Sequence, residues 1–277
     1  MIPSFAIVGA GGYIAPRHVE AIHAIGGKLV AAVDPSTTVG YLDRIFPKCR
    51  YFQTIEELVN VQFDYLVICT PNYLHVAHCL LGQRLALRGV ICEKPLSLNS
   101  SQITPLCEGD VPVHTILQLR HHPEAIALRA ELGNGPYQVK LRYTAIRGDW
   151  YWKSWKGIDF QSGGILFNIG IHLFDLLTWL FGPIVDAGCE HTRPDFARGV
   201  LTFATAEVEW VLAVQDEGTV QRELSLQGPG GSKVIDFSNG FTDLHQKCYE
   251  AIVCGGVTVG VREAQDTVRL VERLLRP

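Results

Sequence analysis

Ser4-Phe5-Ala6-Ile7-Val8-Gly9-Ala10-Gly11-Gly12-Tyr13-Ile14-Ala15 decides how this chain folds. A short apolar run stops at a Gly-rich turn, and helical periodicity takes over from Ile14 to Ile25. Strand, glycine turn and helix in that order open a βαβ unit, in which the backbone can approach a pyrophosphate held at the helix N-terminus. The string is not a plain G-x-G-x-x-G, because Ile14 stands at its last position. Gly9 with Gly11 gives one alignment, and Gly9, Gly12 and Ala15 give another. Either makes Gly9, Gly11, Gly12, Tyr13 and Ile14 candidate contacts of a dinucleotide.

Outward from this turn, Gly26-Gly27 closes the helix, and Lys28 to Val33 reads as a second strand ending at Asp34. Further strands are expected at Asp64–Cys69, Gly89–Cys92 and Val113–Leu117, with helices over Thr37–Ile45, Ile55–Val59, Tyr73–Ala86 and Ser100–Leu106. This alternation predicts an α/β, doubly wound parallel sheet, a Rossmann dinucleotide-binding domain over residues 1–119. Asp34 lies about twenty residues beyond the turn, where a carboxylate bonds the ribose hydroxyls of adenosine. The following Pro35-Ser36-Thr37-Thr38 has no arginine to receive a 2′-phosphate, so NAD is expected rather than NADP. Asp34 also reads as a helix N-cap, and the two roles are compatible.

Thr70, Pro71, Asn72 and His75 follow the expected strand Asp64–Cys69 and are expected along the ribose and nicotinamide, with Asn72 also a candidate helix cap. Glu93-Lys94-Pro95 closes the apolar run Gly89–Cys92. Ligands of open parallel sheets bind just outside the carboxyl ends of the strands, so Lys94 is a candidate catalytic group and Glu93 a candidate cofactor contact. Pro95 ends the strand's pairing and holds the turn.

Beyond Arg120 the pattern changes. Gln138–Ile146, Gly199–Phe203 and Val208–Val214 alternate like strands, Gly228 to Gly231 reads as a turn between strands, and helices are expected over Phe167–Leu180, Thr242–Val253 and Arg262–Leu275. Residues 120–277 are expected to form an α+β domain with a mostly antiparallel open sheet. Asn168, His172 and Asp175 share one helix face. Arg120, Arg147, Lys153 and Lys156 offer cations, and the segment Trp150–Gly157, which includes Trp155, suits stacking on a sugar or base and pairing with anions. An aromatic subunit interface with snorkelling lysines is the other reading of that segment.

Composition sets bounds on partners. At 47% hydrophobic and 19% charged residues the chain is globular, with no expected run long enough to span a bilayer, so no membrane contact is expected. Its formal charge is −4 and it has no long basic run, so nucleic acid is not an expected partner. The eight cysteines make no C-x-x-C pair and no zinc-type spacing, which predicts reduced structural thiols, no metal, and a cytoplasmic setting. No targeting signal is visible at the N-terminus.

The Gly-rich turn, Thr70-Pro71-Asn72 through His75, Glu93-Lys94-Pro95 and Gly163-Gly164 through Asp175 together resemble the Gfo/Idh/MocA family of nicotinamide-dependent sugar and polyol oxidoreductases. Within it, Tyr13–His18, Leu117–His122, Arg147–Gly157, Asn168 and Phe241–His245 are similar to a subgroup acting on UDP-N-acetylglucosaminuronate. The resemblance implies NAD-dependent oxidation of the sugar C3 hydroxyl in surface-polysaccharide (lipopolysaccharide, O-antigen) biosynthesis, by a homodimer or homotetramer built on the second domain. It implies His172 as general base with Lys94 stabilising the developing alkoxide, or the two exchanged. Asn168 stands where the family usually has aspartate and would orient the sugar, with Arg120, Arg147, Lys153, Trp155, Lys156 and His172 around the substrate. A dehydrogenase of a free sugar or inositol-like cyclitol, and a non-catalytic NAD-binding regulator on the same fold, are the alternatives.

Overall fold

Phe5, Ala6, Ile7 and Val8 are buried on both faces, which suits a central strand of a parallel sheet covered on both sides. In the computed structural model, which describes residues 2–36, 38–238 and 243–276, they belong to β1 (Ser4–Val8), followed by α1 (Ala15–Ala24), β2 (Lys28–Val33), β3 (Arg50–Phe52), β4 (Tyr65–Ile68), α2 (His75–Leu85), β5 (Gly89–Cys92) and β6 (Val113–Thr115). The sheet runs β3-β2-β1-β4-β5-β6, and every neighbouring pair is parallel. This order reverses direction between β1 and β4, so the Gly-rich turn after β1 sits at the topological switch point.

Three expected helices wind more tightly than predicted, and the first is also shorter. Gly40–Arg44, Ile55–Asn60 and Ser100–Glu108 are 3₁₀ turns. Pro105 removes an amide within the last, and 3₁₀ geometry suits such short pieces. Thr37, the expected start of the first, lies outside the described residues. The three-residue edge strand β3 is too short to show a pattern in the sequence.

The second sheet is built from β7 (Tyr137–Ile146), β8 (Ile184–Arg193), β9 (Phe196–Phe203), β10 (Ala206–Gln215), β11 (Arg222–Gly228) and β12 (Gly231–Asp236) in the order β12-β11-β7-β10-β9-β8. All its pairs are antiparallel except β7 with β10. The predicted turn holds β11 to β12, with Gly228 paired to Gly231. Its helices are α3 (Pro123–Glu131), α4 (Asp149–Lys153), α5 (Asp159–Ser162) and α6 (Ile171–Phe181). Phe174 of α6 meets Trp210 of β10 edge-on at 5.3 Å, and Phe181 meets Phe203 of β9 at 5.5 Å. Gly170 lets the backbone come this close, because a Cβ there would lie 2.9 Å from Leu212 Cδ1 and 2.6 Å from Phe174 Cε2.

Asp159–Phe181 is long and apolar enough to cross a bilayer by length and composition, although no such run was expected; 78% of its apolar window is buried inside the protein, as in a core helix. Two helices complete the chain, α7 (Leu244–Cys254) and α8 (Val261–Leu274). The chain divides into one unit of Met1–Gln118 with Thr242–Gln265 and another of Leu119–Phe241 with Asp266–Pro277. In the first, Cys248, Tyr249 and Ile252 of α7 join the core around Phe5, Val19, Ile22 and Val67. Thr242, the expected start of α7, lies outside the described residues.

Within the second unit, Arg120 donates from Nε and Nη2 to the two oxygens of Asp175 on α6 at 2.8 and 2.6 Å, and Thr267 of α8 donates to Asp175 Oδ1 at 3.3 Å. Asp175 is fully buried. Asp175→Ala leaves a nearly buried guanidinium without its carboxylate and is expected to cost about 3–5 kcal/mol. Urea unfolding of the full chain measures this, and a loss under about 1 kcal/mol, the range of exposed pairs, would contradict it.

Candidate active site

The chain leaves β1 through Gly9, whose φ of +84° suits glycine. A Cβ at Gly9 would lie 2.8 Å from the carbonyl carbon of Cys69 and 2.9 Å from Thr70 N, so glycine is required twice over. The turn is stiffened from within. Gly9 and Ala10 donate to Val33 O at 2.9 and 3.2 Å, Gly12 donates to Gly9 O at 3.0 Å, and Gly11 donates to Asp34 Oδ2 at 2.8 Å. Asp34 Oδ1 accepts from Ser36 N at 2.8 Å. Asp34 thus closes its own loop and also bonds the glycine turn, and it caps no helix, since Val39 stands at the N-cap of the next helical turn, Gly40–Arg44. Tyr13, 72% exposed, and Ile14 lead the chain into α1. A backbone cradle that a Cβ would fill, a helix N-terminus and a carboxylate at the end of β2 together fit a dinucleotide.

The loop after β4 is held from inside. Thr70 Oγ1 lies 3.0 Å from His78 Nδ1, and Asn72 is buried in a 3₁₀ turn over Asn72–Leu74. His75, expected along the nicotinamide, is fully buried, with Nε2 at 2.8 Å from Thr70 O and Nδ1 at 2.6 Å from Pro95 O. A neutral ring has one N–H to donate, and the shorter contact gives it to Pro95 O, so His75, at the end of the loop after β4, is bonded to the loop after β5. Burial pushes the His75 ring below its ordinary value, against the pull of both carbonyls and of Glu93.

Glu93, expected beside the cofactor, turns its carboxylate into the first unit instead. Its Oε1 lies 2.8 Å from His18 Nε2 on α1 and 3.3 Å from His245 Nε2 on α7, and its Oε2 accepts from Lys94 N at 3.3 Å. His18 Nδ1 is 2.8 Å from the Tyr249 hydroxyl. Burial would raise the Glu93 carboxyl, but the hydrogen bonds it takes from His18 and His245 outweigh this and hold the group well below the usual carboxylate range. Burial lowers His18, which favours a neutral ring that donates from Nε2 and accepts at Nδ1 from Tyr249. His18, Glu93 and His245 bring ligand atoms within 4.8 Å of one another, so among the described residues they form a set that could take a cation. The hydrogen bonds alone account for their approach. Tyr249 and the pairing of His18 with His245 were not foreseen, because α1 and α7 are far apart in sequence.

In the second unit, Asn168 lies in a π turn over Leu166–Gly170, and His172 lies half-buried in the first turn of α6. π turns are rare and often mark functional positions. Asn168 Nδ2 donates to Tyr151 Oη at 3.3 Å and to Lys156 O at 3.2 Å, so this buried amide holds the Trp/Lys segment in place. Tyr151 was not among the expected residues. Lys156 Nζ lies 5.0 Å over the Trp155 ring, and Arg147 Nη1 donates to Ile146 O at 2.9 Å. Lys153 is exposed and paired with Asp149. Arg120, expected to face an anionic ligand, is bound to Asp175 as described above.

Residues 4–117 match the oxidoreductase family Gfo/Idh/MocA over its NAD-binding Rossmann fold, and residues 129–218 match its C-terminal alpha/beta domain. The WlbA (WbpB) dehydrogenase of Thermus thermophilus, crystallised with NAD and α-ketoglutarate, is 37% identical with a TM-score of 0.90, covering 99% of this chain and 96% of that one. Its complex with NAD and UDP-GlcNAcA gives 36% identity and a TM-score of 0.89 over the same shares of the two chains. Among curated relatives, the D-glucoside 3-dehydrogenase of Escherichia coli is 29% identical over 192 residues, 66% of this chain and 51% of that protein. The chain spans about half the length of the curated relatives it matches. It belongs to the Gfo/Idh/MocA family of oxidoreductases, whose first domain is an NAD-binding Rossmann fold.

Proposed function

We propose that this chain oxidises the C3 hydroxyl of UDP-N-acetylglucosaminuronate to the 3-keto sugar with NAD, in surface-polysaccharide biosynthesis. The observation that carries this reading is the 36% identity, over 99% of the chain, to a dehydrogenase crystallised with NAD and UDP-GlcNAcA. Lys94 and His172 support it, since a regulator that only senses NAD has no need of a proton acceptor. The position of oxidation is supported by the D-glucoside 3-dehydrogenase among the relatives.

In this reading, residues 1–119 form the cofactor domain. Gly9, Gly11, Gly12, Tyr13 and Ile14 face the pyrophosphate, Asp34 takes the ribose hydroxyls, and the loops carrying Thr70, Pro71, Asn72, His75 and Glu93 shape the nicotinamide end. Bound NAD supplies a hydride acceptor. The protein must then take the hydroxyl proton and stabilise the charge left on oxygen. A histidine ordinarily titrates near neutrality, so His172 serves as general base, and the Lys94 ammonium bonds the developing alkoxide. The second unit takes the substrate and forms the oligomer, whereas α7, expected in that domain, packs in the cofactor unit. Arg147, Lys153 and Lys156 are the cations for diphosphate and carboxylate, Trp155 is a stacking surface, and Asn168 orients the sugar through the segment it holds. Arg120 acts behind this layer, through Asp175. A homodimer or homotetramer in the cytoplasm completes the proposal. One sheet face, with Val200, Val211 and Ala213 only half-buried between exposed Lys140, Arg142 and Glu209, is the surface for it.

NADH absorbance near 340 nm, followed with a panel of UDP-uronates, free glycosides and inositols, tests the substrate. UDP-N-acetylglucosaminuronate alone is expected to raise it, and a response only to free glycosides or cyclitols would replace this reading with the alternative. His172→Ala and Lys94→Ala are each expected to lower kcat by about 10²–10⁴-fold while NAD stays bound. Normal turnover in either variant would remove that residue from the mechanism. Asp34→Ala is expected to weaken NAD binding and narrow the preference over NADP, read by titrating both cofactors. An unchanged ratio of the two affinities would show that Asp34 does not choose between them.

A further inference from the structure

We propose that His18 and His245 are positioning residues for Lys94, acting through the Glu93 carboxylate that they share. The inference rests on the reading that Lys94 works in the reaction, and it goes beyond that reading by naming what holds Lys94 in place.

Lys94 lies between two pinned neighbours. On its N-terminal side, Glu93 is 7% exposed and takes donors from two helices, His18 of α1 at 2.8 Å and His245 of α7 at 3.3 Å, on the same oxygen. Its other oxygen accepts from the backbone amide of Lys94 itself. On the C-terminal side, the carbonyl of Pro95 is held by His75 of α2 at 2.6 Å. The main chain from residue 93 to 95 is therefore anchored to three helices, which fixes the backbone that carries Lys94. This placement matters, since a catalytic group displaced by about 1 Å can cost about 100-fold in rate.

The histidines are chemically suited to this task. A buried carboxylate stays ionised only where donors replace the water it has lost, and two ring N–H groups supply them. His18 is fixed in turn by the Tyr249 hydroxyl at 2.8 Å. His245 gives the sharper argument. Its Nδ1 is buried and makes no hydrogen bond among the described residues, a cost that an apolar side chain of similar size would avoid. Packing alone does not account for a histidine there, whereas the Nε2 contact with Glu93 does.

The test uses the full chain loaded with NAD, comparing His245→Leu with His245→Gln, whose amide can donate where Nε2–H stands. His245→Leu is expected to lower kcat by about 10–100-fold with the sugar KM within about twofold, and His245→Gln to restore kcat to within about threefold of the parent. Tyr249→Phe, which removes one hydroxyl and is the safer variant for folding, is expected to lower kcat less, in the same direction. Hydrogen exchange of the peptide covering residues 92–96 reads the same clamp without any sugar. Faster exchange in His245→Leu and parental exchange in His245→Gln would support it. Failure of the unaltered protein to turn over any sugar would count against the proposed reaction, while the exchange measurement would still decide the clamp. Three results would overturn the clamp: unchanged kcat and exchange in His245→Leu, equal loss in both His245 variants, or a stoichiometric metal ion removed by chelator with the same effect as the substitution.

Discussion

A carboxylate removed from water must find hydrogen-bond donors, and in each unit of this protein one such group gathers elements far apart in sequence. In the first unit it is Glu93, which draws α1 and α7 to the end of β5. In the second it is Asp175, which draws Arg120 and α8 to α6. Neither pair is a good source of net stability, since the cost of desolvation offsets most of the attraction. Their effect is geometric, because an ionised oxygen with fixed donors tolerates few alternative arrangements.

The parallel sheet explains why Glu93 matters for function. Strand order 3-2-1-4-5-6 brings the ends of β1, β4 and β5 side by side, so the glycine turn, the Thr70 loop and Lys94 are neighbours by topology. Side chains then lock the loops together. His75 joins the second loop to the third, and the space at Gly9 that a Cβ would fill is bounded by the backbone of Cys69 and Thr70. The loops that the proposed reaction uses are thus bound to one another before any ligand arrives, which limits the reorganisation that binding requires.

Much of this was legible in the sequence, and the parts that were not share a physical reason. β2 and β5 match their expected residues because a buried parallel strand must be a continuous apolar run bounded by turn residues. The 3₁₀ turns look like α-helices in the sequence because i, i+3 spacing over five to nine residues does not separate the two. Candidate site residues were legible by type and position, but not by the direction of their side chains. Glu93 lies at the predicted turn, His75 in the first turn of the expected helix and Arg120 at the expected change of pattern, yet each side chain bonds protein rather than standing open to a ligand. Direction depends on partners such as His245, Thr70 and Asp175, which only the folded chain brings near. The return of Leu244–Cys254 to the first unit is likewise invisible in the order of the sequence.

Asn168 shows how local chemistry selects a residue against the family's habit. Its Nδ2 donates to the backbone carbonyl of Lys156 and to the oxygen of Tyr151. A carboxylate carries no proton to give the carbonyl, so aspartate at this position would set a negative oxygen against an acceptor and release the Lys156 segment. Protonating it would restore a donor only at the expense of its charge. With the amide in place, the segment that brings Trp155 and Lys156 together is held by a neutral group, and the lysine's charge is not offset from that position. For a substrate bearing a diphosphate and a carboxylate, a neutral residue at 168 removes one source of repulsion that an aspartate would add.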